Sequence, residues 1–205
     1  MSLFNKKYRT LTDEQLMELV AEKDKQAFSE LYDRYSTALV NYFFRMLWKD
    51  REKSEDFMHD LFTKLIQKPH LYQSGRNFKT WLYSIANNMC KNEYRKQEVR
   101  KNTVNMDTPN AMGEDGSEAI RSMDRKDFDK ELELALAELD EKKRAVFEMR
   151  FHEDLSIKEI SEALECSEGT VKSRIFYTIK FLNGKLKHFE KAVNAILLII
   201  CSMLY

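Results

Sequence analysis

"SIKEISEALECSEGTVKSRIFY", Ser156 to Tyr177, decides the fold of the C-terminal part of the chain. Ser156 with Glu159 three residues on is a capping box, so a helix starts at Ile157. Ile157, Ile160 and Leu164 share its inner face. The turn from Glu165 to Ser167 is short, and Ser167 can cap a second helix that buries Val171 and Ile175. Two short helices with facing apolar stripes and a tight turn make a helix–turn–helix. Glu168, Thr170, Lys172, Ser173, Arg174 and Tyr177 point away from that core. Lysine and arginine can bond guanine edges, and hydroxyls can bond bases or phosphates, so such a helix fits a DNA major groove. An all-helical core with a solvated basic face explains the same pattern.

The rest of the composition agrees with helices. The chain has 205 residues but only 5 Gly and 2 Pro, too few for the turns that many strands need. Lys+Arg and Asp+Glu are both 34, so the net charge is zero, yet the charges are segregated. Between Arg76 and Lys101 seven cations face only Glu93 and Glu98. Acids dominate from Asp107 to Glu141, and cations again from Glu168 to Lys191. Two basic blocks flank an acidic one, a distribution that suits nucleic-acid contact. Cys90, Cys166 and Cys201 are odd in number and far apart, which predicts a reducing compartment and no disulfide framework. The four histidines lack metal-ligand spacing, so no metal is expected. The N-terminus lacks an apolar run long enough for a signal peptide, and a cytoplasmic location is expected. There is no ordered nucleophile–base set and no nucleotide loop, so neither an enzyme nor a cofactor is expected.

Working back towards the N-terminus, Thr12 and Gln15 form another capping box. A longer helix is predicted over roughly 25–48, with Phe28, Leu31, Tyr35, Leu39 and Phe43 among its apolar positions. A third covers roughly 52–67 and stops before Pro69. "KPHLYQSGR" is a loop, after which Asn77 caps a fourth helix with Phe78, Trp81, Leu82, Ile85 and Met89 inward. The register of Trp81 assigns it to core. Periodicity fades from Asn102 to Met123, where Pro109, Gly113 and Gly116 mark a linker, and resumes near Phe128. The expected fold is therefore all-α: two small helical domains joined by a flexible acidic linker, the second containing the helix–turn–helix. The boundaries are 10–101, linker 102–124, second domain 125–187 and an apolar tail 188–205.

"LSIKEISEALECSEGTVKSRIFYTIKFL", with "LDEKKRAVFEMRFHEDLS" before it, resembles region 4 of bacterial sigma factors of the extracytoplasmic-function group. "AFSELYDRYSTALVNYFFRML", "SEDFMHDLFTKLI" and "FKTWLYSIANNMCKNEYRK" are similar to region 2 and stand in the family's order. The resemblance implies a promoter-specificity subunit that binds core RNA polymerase, recognises and opens promoter DNA, and starts transcription. An anti-sigma factor is a common partner in the family, and no small-molecule substrate is implied. Core binding carries over to Glu55, Asp56, Phe57, Asp60, Leu61, Phe62 and Lys64, acids and apolar groups suited to a basic amphipathic helix. The alternative for Phe57, Leu61 and Leu65 is domain core, and for Leu61 the two readings weigh equally. The loop Lys68 to Arg76 matches the family's specificity loop, where one minus-ten base is flipped out and held. Arg76, Asn77, Lys79, Tyr83, Asn87, Lys91, Arg95 and Lys96 would line the single strand. Minus-thirty-five reading carries over to Lys172, Ser173, Arg174, Phe176 and Tyr177, beside Glu168 and Thr170.

The sequence also departs from the family's pattern. Tyr177 and Ile179 stand where a basic residue is frequent, and Ser84 and Asn87 replace frequent cations. His59 and Asp60 stand for a Gln–Glu pair. Glu165 replaces a turn glycine and would be strained at positive φ. The tail "AVNAILLIICSMLY" is too short for an ordinary spanning helix, which leaves packing on the second domain, partner binding or membrane contact. It could regulate access to the recognition helix. The competing reading of the whole chain is a helix–turn–helix regulator that does not associate with polymerase; the first domain, with neither ligand pocket nor dimer helix in evidence, argues for the sigma factor.

Overall fold

A computed structural model describes residues 7–103 and 120–189; for 101–103, 120–126 and 188 it describes the backbone alone. The ordered elements are helices throughout: α1 (Asp13–Ala21), α2 (Lys25–Met46), α3 (Arg51–Gln67), α4 (Phe78–Thr103), α5 (Ile120–Ala137), α6 (Glu141–Phe151), α7 (Ile157–Ala163) and α8 (Glu168–Lys185). Short 3-10 turns follow α3 and α8.

Local chemistry fixes the helix starts. The capping boxes at Thr12–Gln15 and Ser156–Glu159 both form. Asp24, Asp50, Asp140 and Ser167 each accept a backbone N–H from the first turn they precede. Asn77 accepts from the Thr80 amide at 2.8 Å and so caps α4 as expected. Each cap of this kind is worth about 1 kcal/mol. With few glycines to end helices, the chain uses other residues in the left-handed region. Lys23 (φ 69°) follows α1 and Glu165 (φ 51°) follows α7. At Glu165 the Cys166 amide reaches back to the Ser161 carbonyl at 3.0 Å, closing a Schellman-type end that glycine usually makes. The strain expected there is present.

α1 to α4 enclose the first part of the core, with Leu16, Leu31, Leu39, Phe43, Leu61, Phe78 and Leu82 almost fully buried. Trp81 is buried too, as its register predicted. Arg34 staples the N-terminal segment to α2: it pairs with Asp13 at 2.7 Å and Glu30 at 2.9 Å and donates to the Leu11 carbonyl at 3.0 Å. α6, α7 and α8 form the helix–turn–helix unit around Val146, Met149, Ile160, Val171 and Ile175. A second cluster, Ala135, Phe147, Leu182 and Leu186, seats α5 on that unit.

The two units touch directly. α4 packs along α7 and α6, and α2 along α6. One apolar cluster runs from Leu16 on α1 through to Ile179 on α8. Helix α5 also begins earlier than expected. Residues 120–127 offer helix formers such as Arg121, Met123, Arg125 and Lys126 but few apolar positions, so propensity holds a helix where periodicity is silent. The linker between residues 104 and 119 and the apolar tail from residue 190 lie outside the described residues.

Candidate polymerase and nucleic-acid interfaces

α3 presents Glu55, Asp56, Asp60 and Lys64 to solvent. Arg51 holds Glu55 at 2.7 Å, one turn away on the same helix. Phe57 is half-buried, its ring 5.5 Å from that of Phe43. Leu61 and Phe62 are buried, with Phe62 against Phe28 (5.8 Å) and Tyr32 (4.8 Å). These two therefore seat α3 on α2, and the exposed face is mainly acidic, with Ile66 the large apolar side chain it exposes near its C-terminal end. The opposite side of α3 is pinned by Lys53, whose ammonium lies 2.5 Å from the buried Glu93 carboxylate on α4.

Between α3 and α4, Tyr72 folds inward. Its hydroxyl donates to the Arg76 carbonyl at 2.5 Å, and its ring lies 5.1 Å from that of Trp81. The loop is tied at its C-terminal end, where the Phe78 amide donates to Glu14 at 3.0 Å. Gly75 takes φ 90° at the tip, a conformation that L side chains rarely adopt. His70, Leu71, Gln73, Ser74, Arg76 and Asn77 stay exposed on this anchored loop.

The expected promoter-facing residues of α4 divide. Lys91, Arg95 and Lys96 are exposed, and Asn87 is half-buried. Lys79 donates to the backbone carbonyl of Glu153 at 2.5 Å. Tyr83 has no exposed surface; it donates to the Glu153 carboxylate, and its ring lies 5.3 Å from that of Tyr42. In this arrangement Tyr83 is an interdomain contact rather than a solvent-facing one, because the loop after α6 covers it. Burial, and then the nearby Glu153 charge, push its phenol well above the usual range. The same loop brings Glu153 within 2.7 Å of Arg45 on α2, and Arg45 also donates to Glu148 on α6. His152 Nδ1 lies 2.9 Å from Glu148. Burial raises the Glu153 carboxyl above its ordinary range, against the opposing hydrogen bond from Tyr83 and the charges of Arg45 and Lys79. Arg45, Glu148 and Glu153 carry no motif, and their pairing spans about half the chain, so local patterning gave no signal for them.

On α8 the expected residues are mostly free. Glu168, Lys172, Ser173, Phe176 and Tyr177 are exposed. Phe176 and Tyr177 are 60% and 57% accessible, and their rings meet edge-on with centroids 5.4 Å apart. Thr170 is tied to the Ser167 cap, hydroxyl to hydroxyl at 2.9 Å. Arg174 lies over the turn, 3.8 Å from the Cys166 sulfur, and lines a cleft with Asn87 and Lys91 of α4. Val171, Ile175, Thr178 and Ile179 fill the inner face. Cys90 is buried and its thiol is pushed up by burial. Among the described residues no cluster of His, Cys, Asp or Glu could hold a metal, and no helix is long and apolar enough to cross a membrane.

Comparison with known proteins accounts for both units. Residues 31–100 match the family described as Sigma-70 region 2, and residues 129–182 match Sigma-70, region 4. The chain is 29% identical over 184 residues to the ECF RNA polymerase sigma-E factor of Haemophilus influenzae, covering 86% of this chain and 96% of that protein. It is 28% identical over 170 residues to the ECF RNA polymerase sigma factor SigX of Bacillus subtilis, covering 81% and 85%. Among solved structures it is similar to the sigma factor RpoE of Bartonella quintana in complex with the anti-sigma factor NepR. That match has TM-score 0.59 and 23% identity and covers 78% of this chain and 96% of that one. CnrH in complex with the cytosolic domain of CnrY gives TM-score 0.63 at 20% identity, covering 86% and 97%. These two likenesses bear on the fold alone. Both matched regions occur in the family's order on one chain, which a free-standing helix–turn–helix regulator does not require, and the chain belongs to the extracytoplasmic-function group of bacterial RNA polymerase sigma factors.

Proposed function

We propose that the chain directs core RNA polymerase to promoters through three separate surfaces. The acidic face of α3, with Glu55, Asp56 and Asp60, docks on a basic amphipathic element of core polymerase, with Phe57 at its edge. Leu61 and Phe62 hold that face in place from below. The loop from Lys68 to Arg76 covers one unstacked base of the minus-ten element, and its fixed ends keep the rim open for that base. Asn87, Lys91, Arg95 and Lys96, with Arg76, Asn77, Lys79 and Tyr83 at the near end, follow the separated strand by phosphate neutralisation and stacking. Lys172 and Ser173 of α8, with Arg174, Phe176 and Tyr177, read the minus-thirty-five duplex. The apolar ring edges suit contact with thymine methyl groups, where a cation would seek phosphate instead.

The observation that carries this reading is the pairing of an exposed acidic helix with two exposed basic ones on a single chain. The chain works in the cytoplasm, where polymerase and promoters meet, and contributes specificity rather than a reaction. An anti-sigma factor is an expected partner, as NepR is for the Bartonella quintana protein. The reading is tested by charge reversal at Asp56→Arg with Asp60→Arg. The double variant is expected to lose co-purification with core polymerase while its circular dichroism is unchanged. Retained association would exclude α3 as the docking face.

A further inference from the structure

Closing the two units together buries charge in a particular way. Glu148 and Glu153 are only 2% and 6% exposed, yet a single guanidinium, that of Arg45, serves both carboxylates. The second cation at the seam, Lys79, is bonded to the main-chain carbonyl of Glu153. Tyr83 completes the set by donating to the Glu153 carboxylate. A buried ion pair gains little net stability, because desolvation offsets most of the attraction. The apolar packing of α4 on α7 and α6 therefore brings the units together, and the polar cluster makes that packing conditional.

The positions matter as much as the energies. Lys79 and Tyr83 belong to the face proposed above to receive the promoter strand. Both are engaged by the loop after α6. A carboxylate and a carbonyl occupy the donors there, as phosphate oxygens and base edges would. Arg174 of the recognition helix is turned into the cleft against Asn87 and Lys91. A DNA strand along α4 and this arrangement of the second unit exclude one another.

We infer that Arg45, Glu148 and Glu153 form an internal latch that holds the free chain closed, with the Glu153 loop standing in for promoter DNA on α4, and that the latch opens before the chain reads a promoter. The consequence for promoter access rests on the sigma-factor reading; the latch itself does not. Three features favour a latch over fixed packing. Its two carboxylates share one guanidinium, with only the exposed His152 beside Glu148 at 2.9 Å, its partners come from both units, and it covers residues whose chemistry suits another ligand.

The test uses the full chain and needs neither polymerase nor promoter. The Lys79 amine is acetylated with limiting acetic anhydride, and its rate is read by mass spectrometry against the exposed Lys96 on the same helix. The radius of gyration is measured in parallel by small-angle scattering. Arg45→Ala leaves two buried carboxylates without their guanidinium, and Glu153→Lys places an ammonium against Arg45 and Lys79. Each is expected to shift the equilibrium about tenfold or more towards the open form. Lys79 reactivity then rises towards that of Lys96, the radius increases, and helix content is kept. The double variant should do no more than the stronger single one, since both break one device. If one variant loses helix content, the other decides. Unchanged Lys79 reactivity and radius in a folded variant would overturn the latch. Failure of the chain to bind core polymerase would sink the promoter reading while leaving these measurements intact.

Discussion

α4 and α8 are both basic helices assigned to promoter DNA, but they meet solvent differently. α8 shows Lys172, Ser173, Phe176 and Tyr177 openly. On α4, Tyr83 is buried and Lys79 is bonded across the domain boundary, while Lys91, Arg95 and Lys96 further along remain free. Lysine and tyrosine on the outward side of each helix thus have different availability. A recognition surface is set by what else in the chain can reach it, as well as by the helix that carries it. On α4 the competitor is the Glu153 loop; the outer face of α8 has none among the described residues.

Removing packing from the apolar cluster that joins the two units should affect both helices most. Phe43 is fully buried in the cluster that joins the two units. Phe43→Ala should cost about 3–5 kcal/mol. Denaturant unfolding should show the midpoint falling sharply, with both units affected. A loss confined to one unit would show that the cluster is not shared.

DNA binding sharpens the contrast directly. Lys172→Ala is expected to weaken binding to a cognate promoter duplex by about 1–3 kcal/mol and to relax preference at one base position. Lys91→Ala should instead weaken binding about evenly across sequences and reduce the salt slope by about 1. Fluorescence anisotropy titrations with core polymerase present, at several salt concentrations, separate the two, using the duplex for Lys172 and a template with an unpaired minus-ten segment for Lys91. Equal effects on specificity would remove the distinction between reading and positioning.

The caps give a smaller and more even effect. Asn77 starts α4 and Ser167 starts α8, each by one side-chain hydrogen bond to an amide. Alanine at either position should cost about 1 kcal/mol in thermal unfolding. Glu165→Gly should act the other way. It relieves a left-handed backbone worth about 1–2 kcal/mol, less the entropy glycine adds to the unfolded chain, so a net gain of roughly 0.5–1 kcal/mol is expected. A loss of stability would mean that the Glu165 side chain contributes more than its backbone costs.

Closure raises the Glu153 carboxyl, mainly by burial, although the Tyr83 hydrogen bond and then Arg45 and Lys79 pull it down and Glu148 adds to the rise. The closed form therefore binds a proton more readily than the open one. Closure strengthens as pH falls through the raised value and levels off once the carboxyl is protonated in both forms. Scattering between neutral pH and pH 5 should show the radius of gyration falling or holding, never rising, while helix content is constant.

The helices were legible in the sequence because their signals are local. Thr12, Asn77, Ser156 and Ser167 each announce a start within three residues, and the register of Trp81 settles its burial. The strain at Glu165 was signalled by the resemblance instead, since Glu165 stands where the family has a turn glycine, and its φ of 51° meets that condition. Sites that depend on distant partners were not. Phe62 resembles an exposed family contact until Phe28 and Tyr32 close on it. Tyr83 lies on the polar side of α4 by spacing, and only a glutamate far along the chain buries it. Arg45, Glu148 and Glu153 look like ordinary surface charges, because an ion pair across domains leaves no periodicity. The start of α5 leaves no sequence signal for a different reason: its first turns lack the apolar stripe that marks a buried helix.

Run-off transcription reads promoter selection by the chain itself. The purified chain is mixed with core RNA polymerase and a pool of promoter templates, and the transcripts are sequenced. The expected result is a set of defined start sites that depends on the chain and shares two elements at fixed spacing upstream, and that disappears with Asp56→Arg and Asp60→Arg. Transcripts that are the same with and without the chain would contradict the account.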